Sequence, residues 1–226
     1  MGVAIAALAA AVIGATGPFV IARLPEPPDA DDDKIAYAGL ARARFLTWCL
    51  AAGAATMAGL AAWKVPHELV PVWVVFAGVG SWLAYVDWRT RLLPFLVVAP
   101  MYVATLALVV LGAFLLDDWS VLVTAVIGNV AVFAAFWLVY QVGRLFGGGA
   151  FGYGDVRLSG VVGLALGALG AAETLTGAYG GFVLGAVGGF VFSRLGWVDR
   201  KGFAFGPYMV VGAIVGAAWG PSIWPM

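Results

Sequence analysis

The sequence predicts an all-α protein, a bundle of about eight helices that cross a membrane. Apolar residues make up 63% of the chain and the mean hydropathy is +1.01, whereas soluble domains are usually about 45–50% apolar. Apolar runs of roughly 17–25 residues, the length of a transmembrane helix, recur along the whole chain. The runs do not alternate as barrel strands do, and in lipid only helices and closed barrels satisfy every backbone group.

Each predicted span is an apolar run that ends at polar or charged residues. The eight spans are 3–22, 45–63, 70–86, 95–116, 119–143, 156–172, 174–193 and 203–222, in a single membrane domain of residues 1–226. The first run has no basic residue before it and is followed by Arg23, which favours a retained helix over a cleaved secretory signal. Residues 23–44 are the one sizeable polar linker, and their prolines, acidic run and arginines predict a short, solvated cytoplasmic connector.

The lysines and arginines predict how the bundle sits in the membrane. With the N-terminus outside, every one of the 12 basic residues except Lys64 falls on the inside face of the predicted topology. Cytoplasmic loops carry an excess of such residues, so we expect the N-terminus outside. Asp87 and Asp155 then both lie at the cytoplasmic face.

Glycines in the last third of the chain predict close helix packing. They recur at four-residue spacing in two of the predicted spans, and such stripes let helix backbones approach each other in lipid. The positions are Gly177, Gly181, Gly185 and Gly189 in one span and Gly212, Gly216 and Gly220 in the other.

Two aspartates are the candidate catalytic residues. Asp87 follows a predicted span in YVDWRTRLLP, and Asp155 opens another after the glycine-rich GGGAFGYG. Each has an ordinary explanation, Asp87 as an interfacial loop residue and Asp155 as a helix N-cap. The glycine-rich stretch leaves backbone open to a ligand, but it lacks the lysine and the serine or threonine of a phosphate-binding loop.

The pair suggests a chemistry that neither aspartate suggests alone. Two carboxylates at one depth can share a proton because their charges repel. One can then act as base toward a water while the other protonates the scissile carbonyl. Asp155 lies at a helix N-terminus and Asp87 at a C-terminus, so the helix dipoles predict Asp155 as the anion and Asp87 as the proton holder.

Other chemistries have little support in the sequence. His67 is the one histidine and lies on the opposite face, and Cys49 is the one cysteine, which we expect to be buried as a small apolar residue. Neither a zinc site nor a histidine-based triad can be assembled near the aspartates, and we expect no metal and no cofactor. A net charge of zero argues against a nucleic-acid partner.

Four segments resemble motifs of the prepilin peptidases, which are membrane aspartic proteases with a Gly-x-Gly-Asp motif. Asp87 with Pro94 seven positions later, and GYGDVRL at 152–158, resemble the two active-site motifs of that family. FVIARLP at 19–25 resembles the end of its first span, and FGPY at 205–208 the start of its last. The resemblance runs in the same order over essentially the whole chain.

The resemblance implies an endopeptidase of the bacterial inner membrane. Its substrates would be type IV prepilins, or related pseudopilins of secretion systems, whose short basic leader is removed at the cytoplasmic face. The family's catalytic pair falls on Asp87 and Asp155, and its loop or substrate-binding residues on Gly152, Gly154 and Pro94. The implied partners are the substrate helix and the lipid bilayer.

The chain also departs from the family. Bifunctional members carry a cysteine-rich loop after the first span and methylate the new N-terminus, whereas the 23–44 linker contains no cysteine. We therefore do not assign methyl transfer. Phe95 follows the proline where an acidic residue or asparagine is common, and Arg157 stands where lysine is commoner.

Two alternatives remain open. A preflagellin-type or other protease with the same motif would differ in substrate alone. A transporter or structural bundle could use the two aspartates to bind a cation or relay protons, although such a path favours ionisable groups near the membrane midplane.

Overall fold

The computed structural model describes residues 2–26, 35–145, 152–194 and 204–224, and within these ranges the regular structure is entirely α-helical. The helices are α1 (Val3–Ala15), α2 (Gly17–Ile21), α3 (Tyr37–Leu40), α4 (Leu46–Ala62), α5 (Val70–Thr90), α6 (Phe95–Leu115), α7 (Ser120–Leu145), α8 (Tyr153–Gly167), α9 (Ala171–Arg194) and α10 (Gly206–Ile223). The all-α expectation is confirmed for this part of the chain.

Each of the eight predicted spans corresponds to a helical segment. The first is divided at Thr16, two residues before Pro18, which has no N–H to donate to the helix. Among the described residues, five segments are long and apolar enough to cross a bilayer, namely Val3–Ile21, Val70–Thr90, Phe95–Leu115, Ser120–Leu145 and Ala171–Val191. Helix α4 is apolar but shorter, and the total of eight crossings stays a prediction.

Helices α5 and α8 form the interior of the bundle. Apart from its first two residues and Arg157, α8 is buried along its whole length, and about two thirds of α5 is buried. Helix α7 packs along α8, while α1 and α4 pack against α5. A methyl group on Gly128 of α7 would come within 2.6 Å of the Gly163 carbonyl oxygen of α8, so this close packing requires glycine.

The predicted glycine stripes lie between α9 and α10. A Cβ atom on Gly212 would come within 2.5 Å of the Gly181 nitrogen, and one on Gly216 within 2.5 Å of the Glu173 oxygen. The two backbones are therefore in direct contact, as the four-residue spacing predicted. Gly185 serves a different purpose, because it leaves room for the ring of Phe205.

The second half of the 23–44 linker differs from the solvated connector that the sequence predicts. Tyr37 and Leu40 of α3 are buried in a cluster that includes Val86 of α5, and the Tyr85 hydroxyl donates to the Leu40 carbonyl oxygen at 3.0 Å. Burial, together with the negative charge of Glu26, raises the pKa of Tyr37. The linker thus packs against the helix that bears Asp87, although its acidic run and Lys34 lie outside the described residues.

Candidate active site

Asp87 lies in the last turn of α5 and is 3% exposed. The helix continues to Thr90, beyond the predicted end of the span at residue 86, so Asp87 is part of the helix rather than of the following loop. Arg91 then adopts a positive φ of 56° and donates its N–H to the Asp87 carbonyl oxygen at 2.7 Å. This left-handed residue ends the helix and turns the chain toward Pro94, which caps α6.

Asp155 is the third residue of α8 and is 7% exposed. Gly152 holds the N-cap position, so the alternative explanation of Asp155 as the N-cap is wrong. The Asp155 carboxylate bends back over the helix start, where its Oδ2 accepts the Gly152 N–H at 3.0 Å. The preceding glycine-rich stretch, from Gly147 to Phe151, lies outside the described residues.

The second oxygen of Asp155 is chemically distinctive. Asp155 Oδ1 is buried and has no hydrogen-bond partner within the described ranges. Most buried polar atoms in folded proteins have a partner, and an exception calls for an explanation such as a catalytic role. This oxygen is therefore available to a substrate or to a water molecule.

Gly206 brings a third helix to the pair. Its N–H, at the start of α10, donates to Asp87 Oδ2 at 2.7 Å. A Cβ atom on Gly206 would lie 2.9 Å from that oxygen and 3.2 Å from the Asp87 Cβ and Cγ atoms. The sequence identifies FGPY as a motif but assigns no role to Gly206. The signal that could have identified it is a glycine at the start of a predicted span, on the same membrane face as both aspartates.

The structure brings the predicted site residues together at one end of the bundle. Asp87 and Asp155 are close enough for their negative charges to repel each other. Beside them, Gly154 packs against Leu93, where a Cβ atom on the glycine would come within 2.8 Å of the Leu93 Cβ. Pro94 follows Leu93 directly, so the start of α8 rests on the connection between α5 and α6.

Backbone dipoles act on both carboxylates. The N-terminus of α8 faces Asp155 through Gly152, and the N-terminus of α10 faces Asp87 through Gly206. A helix N-terminus favours an anion, so Asp87 receives a stabilisation that its place at the end of α5 did not suggest. The helix ends alone therefore do not separate the two carboxylates, and the assignment of the shared proton stays a prediction.

The remaining candidate residues lie elsewhere. His67 is in the connection between α4 and α5, at the opposite end of the bundle. Cys49 is exposed on α4, contrary to the expected burial, because its side of that helix faces away from the protein interior. Among the residues with described positions, no group of three His, Cys, Asp or Glu side chains could hold a metal ion.

Comparison with known proteins gives one match. Residues 74–224 match the family model described as Type IV leader peptidase family. The matched segment contains both aspartates, Gly152, Gly154, Pro94 and Gly206. No curated protein and no solved structure matches the chain.

Proposed function

Because the chain belongs to the type IV leader peptidase family, we propose that it is a membrane aspartic endopeptidase. It removes the short basic leader of type IV prepilin or pseudopilin precursors at the cytoplasmic face of the inner membrane. The observation that carries the proposal is the meeting of two buried carboxylates, Asp87 on α5 and Asp155 on α8, at one end of the bundle.

The two carboxylates divide the reaction between them. One removes a proton from a water molecule, whose oxygen attacks the carbonyl carbon of the scissile peptide bond. The other holds the shared proton and gives it to the carbonyl oxygen. When the tetrahedral intermediate collapses, the C–N bond breaks, a proton passes from the first carboxyl group to the leaving amine, and a hydroxyl group of the intermediate returns a proton to the second carboxylate as the new C=O bond forms. Both carboxyl groups return to their starting state, so no cofactor is consumed.

The hydrogen bonds suggest which atoms take part. Asp87 Oδ2 and Asp155 Oδ2 each accept a backbone N–H, which fixes the orientation of the two groups. Asp155 Oδ1 is without a partner among the described residues and is the atom that we assign to the water. Pro94 and Gly154 act indirectly, by holding the ends of α5 and α8 in register, and Gly152 acts by donating its backbone N–H to Asp155.

The proposal does not assign methyl transfer to this chain, and it puts the site at the cytoplasmic face of the membrane. The 23–44 linker has no cysteine, and part of it is occupied by α3, so the cysteine-rich loop of bifunctional relatives has no counterpart. The cytoplasmic orientation rests on the distribution of basic residues. A basic leader would remain in the cytoplasm in this arrangement, while the apolar part of the precursor enters the bilayer.

The experiment is a cleavage assay with single-atom changes. The protein is coexpressed with a prepilin that carries a basic leader, and leader removal is followed by mobility and by mass. We expect Asp87→Asn and Asp155→Asn each to reduce cleavage by at least about a thousandfold, since neither amide can exchange the proton. Each variant should still insert into the membrane at the level of the unchanged protein.

Asp118→Asn is the matched control at the other end of the bundle. Hydrogen bonds from the Ser120 side chain and backbone lower the pKa of Asp118, so it is an anion in the assay, and the asparagine side-chain oxygen can still accept the Ser120 N–H. Cleavage should be unchanged. Substantial activity in either dyad variant would contradict the mechanism. The alternative is a transporter or proton relay. It would be supported if the protein cleaves no prepilin and if proton or cation flux into proteoliposomes depends on Asp87 and Asp155.

A further inference from the structure

A lateral groove lies between α6 and α7, and α8 forms its floor. Its volume is about 430 Å³. Phe95, Ala99 and Val103 line it from one stripe of α6, Phe133 from α7, and Arg157 and Gly160 from α8. Phe95 and Val103 are 56% and 65% exposed. Such exposed apolar side chains are expected on a surface that faces lipid tails.

Of the described residues that line the groove, Arg157 alone is charged. Its guanidinium carbon lies 4.7 Å from the ring centroids of both Phe95 and Tyr153, and stacking of this kind orients the planar cation. Within the described part of the chain, no carboxylate forms an ion pair with it. The first turns of α8 thus present an unpaired positive charge above an apolar groove.

The depth of the groove depends on Gly160. A Cβ atom there would lie 3.3 Å from Asn129 Nδ2 and 3.5 Å from the Phe133 ring. The Asn129 amide donates to the Gly160 carbonyl oxygen at 2.7 Å, so it joins α7 to α8. Below Arg157 the walls are therefore mainly apolar, and they suit a hydrocarbon chain.

We propose that this groove binds an anionic phospholipid of the surrounding bilayer. The lipid phosphate pairs with Arg157, and one acyl chain lies between α6 and α7 over Ala99 and Gly160. Arginine suits phosphate because its N–H groups match the phosphate oxygens in pairs, and basic pockets between transmembrane helices on the cytoplasmic side bind anionic headgroups. The net negative charge of the headgroup makes it preferable to a zwitterionic one.

The position of the groove favours a lipid over the peptide substrate. Successive residues of a helix are rotated by about 100°, so Arg157 and Gly160 lie on the side of α8 turned away from Asp155. A molecule in the groove would not reach the two aspartates, but it would contact the helix that carries one of them. The proposal does not depend on the proposed protease activity.

The experiment measures lipid binding directly. The full-length protein is purified in detergent and titrated with phosphatidylglycerol or phosphatidylcholine, and bound lipid is counted by native mass spectrometry. We expect one phosphatidylglycerol to bind more tightly than phosphatidylcholine. Arg157→Gln should weaken the binding of phosphatidylglycerol by about fivefold and abolish the preference for it. Ala99→Phe should weaken the binding of both lipids, because the larger side chain fills the groove.

Two further variants separate the site from general effects. Arg144→Gln removes an exposed cation that stacks on Tyr140 at the same end of the bundle but does not line the groove, and it should retain the preference. Arg157→Lys keeps the charge and should retain most of the preference for phosphatidylglycerol. This variant remains informative if Arg157→Gln fails to fold. Equal binding of both lipids to the unchanged protein would overturn the proposal. An unaltered lipid preference in Arg157→Gln would also overturn it. So would a raised KM of Arg157→Gln for prepilin with unchanged lipid binding, because Arg157 would then contact the substrate and not a lipid.

Discussion

At the scale of single residues, the candidate site depends on backbone N–H groups as much as on the two carboxylates. Asp87 and Asp155 were identifiable because ionisable groups at the ends of apolar spans are costly unless they have a use. Their hydrogen-bond donors were not identifiable, because any residue except proline carries an N–H group. Gly206 is 119 residues from Asp87 in the chain, and the contact between them becomes visible only when α10 is placed beside α5.

Gly206→Ala tests whether this donor positions Asp87. The added methyl group would lie 2.9 Å from Asp87 Oδ2, so the carboxylate or the start of α10 must shift. Small displacements of catalytic groups are costly, and we expect cleavage to fall by about a hundredfold while the thermal unfolding temperature in detergent changes little.

Gly180→Ala is the comparison for that experiment. A Cβ atom on Gly180 would meet nothing within 4 Å, so both activity and unfolding temperature should be retained. If Gly206→Ala cleaves as fast as the unchanged protein, Asp87 does not require the fixed N–H of α10.

At the scale of elements, hydropathy located the helices but not their ends. Helix α5 continues through Asp87, Arg89 and Thr90 because its backbone hydrogen bonds do not require apolar side chains, whereas an apolar run marks only the part of a helix that suits lipid. Helix α8 begins at Tyr153, three residues before the predicted span, for the same reason. The packing of α3 was missed because four helical residues give too short a pattern to read.

The start of α8 distinguishes the two glycines of the Gly-Tyr-Gly-Asp motif. A Cβ atom on Gly152 would lie 3.6 Å from Asp155 Oδ2, an ordinary contact, and Gly152 has φ and ψ values of −78° and 154° that alanine adopts readily. A Cβ atom on Gly154 would lie 2.8 Å from Leu93 Cβ. The motif therefore needs its second glycine for packing against the α5–α6 connection.

We expect Gly154→Ala to reduce cleavage by about tenfold or more, because it separates α8 from the end of α5. Gly152→Ala should stay within about twofold of the unchanged protein. Both variants are measured in the same prepilin assay, with membrane levels determined by immunoblotting, so that lost insertion is not counted as lost activity. A larger loss of cleavage in Gly152→Ala than in Gly154→Ala would show that the contact between Gly154 and Leu93 does not determine the geometry of the site.

At the scale of the whole molecule, the charge count and the structure support each other independently. Counting lysines and arginines predicted that Asp87 and Asp155 share one face, without any assumption about function. In the structure, the end of α5 and the starts of α8 and α10 meet at one end of the bundle. The sequence could not predict which faces of these helices meet, because that depends on packing between segments far apart in the chain.

The orientation of the whole bundle leads to a labelling prediction. Arg144 lies in the last turn of α7, at the same end of the bundle as Asp155, and Lys64 follows α4 at the other end. In a Cys49→Ala background, Lys64→Cys should react with a membrane-impermeant maleimide in spheroplasts, whereas Arg144→Cys should react only after lysis. This pattern follows from the excess of basic residues on one face. The reverse pattern would place both aspartates outside the cytoplasm, where a precursor that has not yet been exported could not meet them.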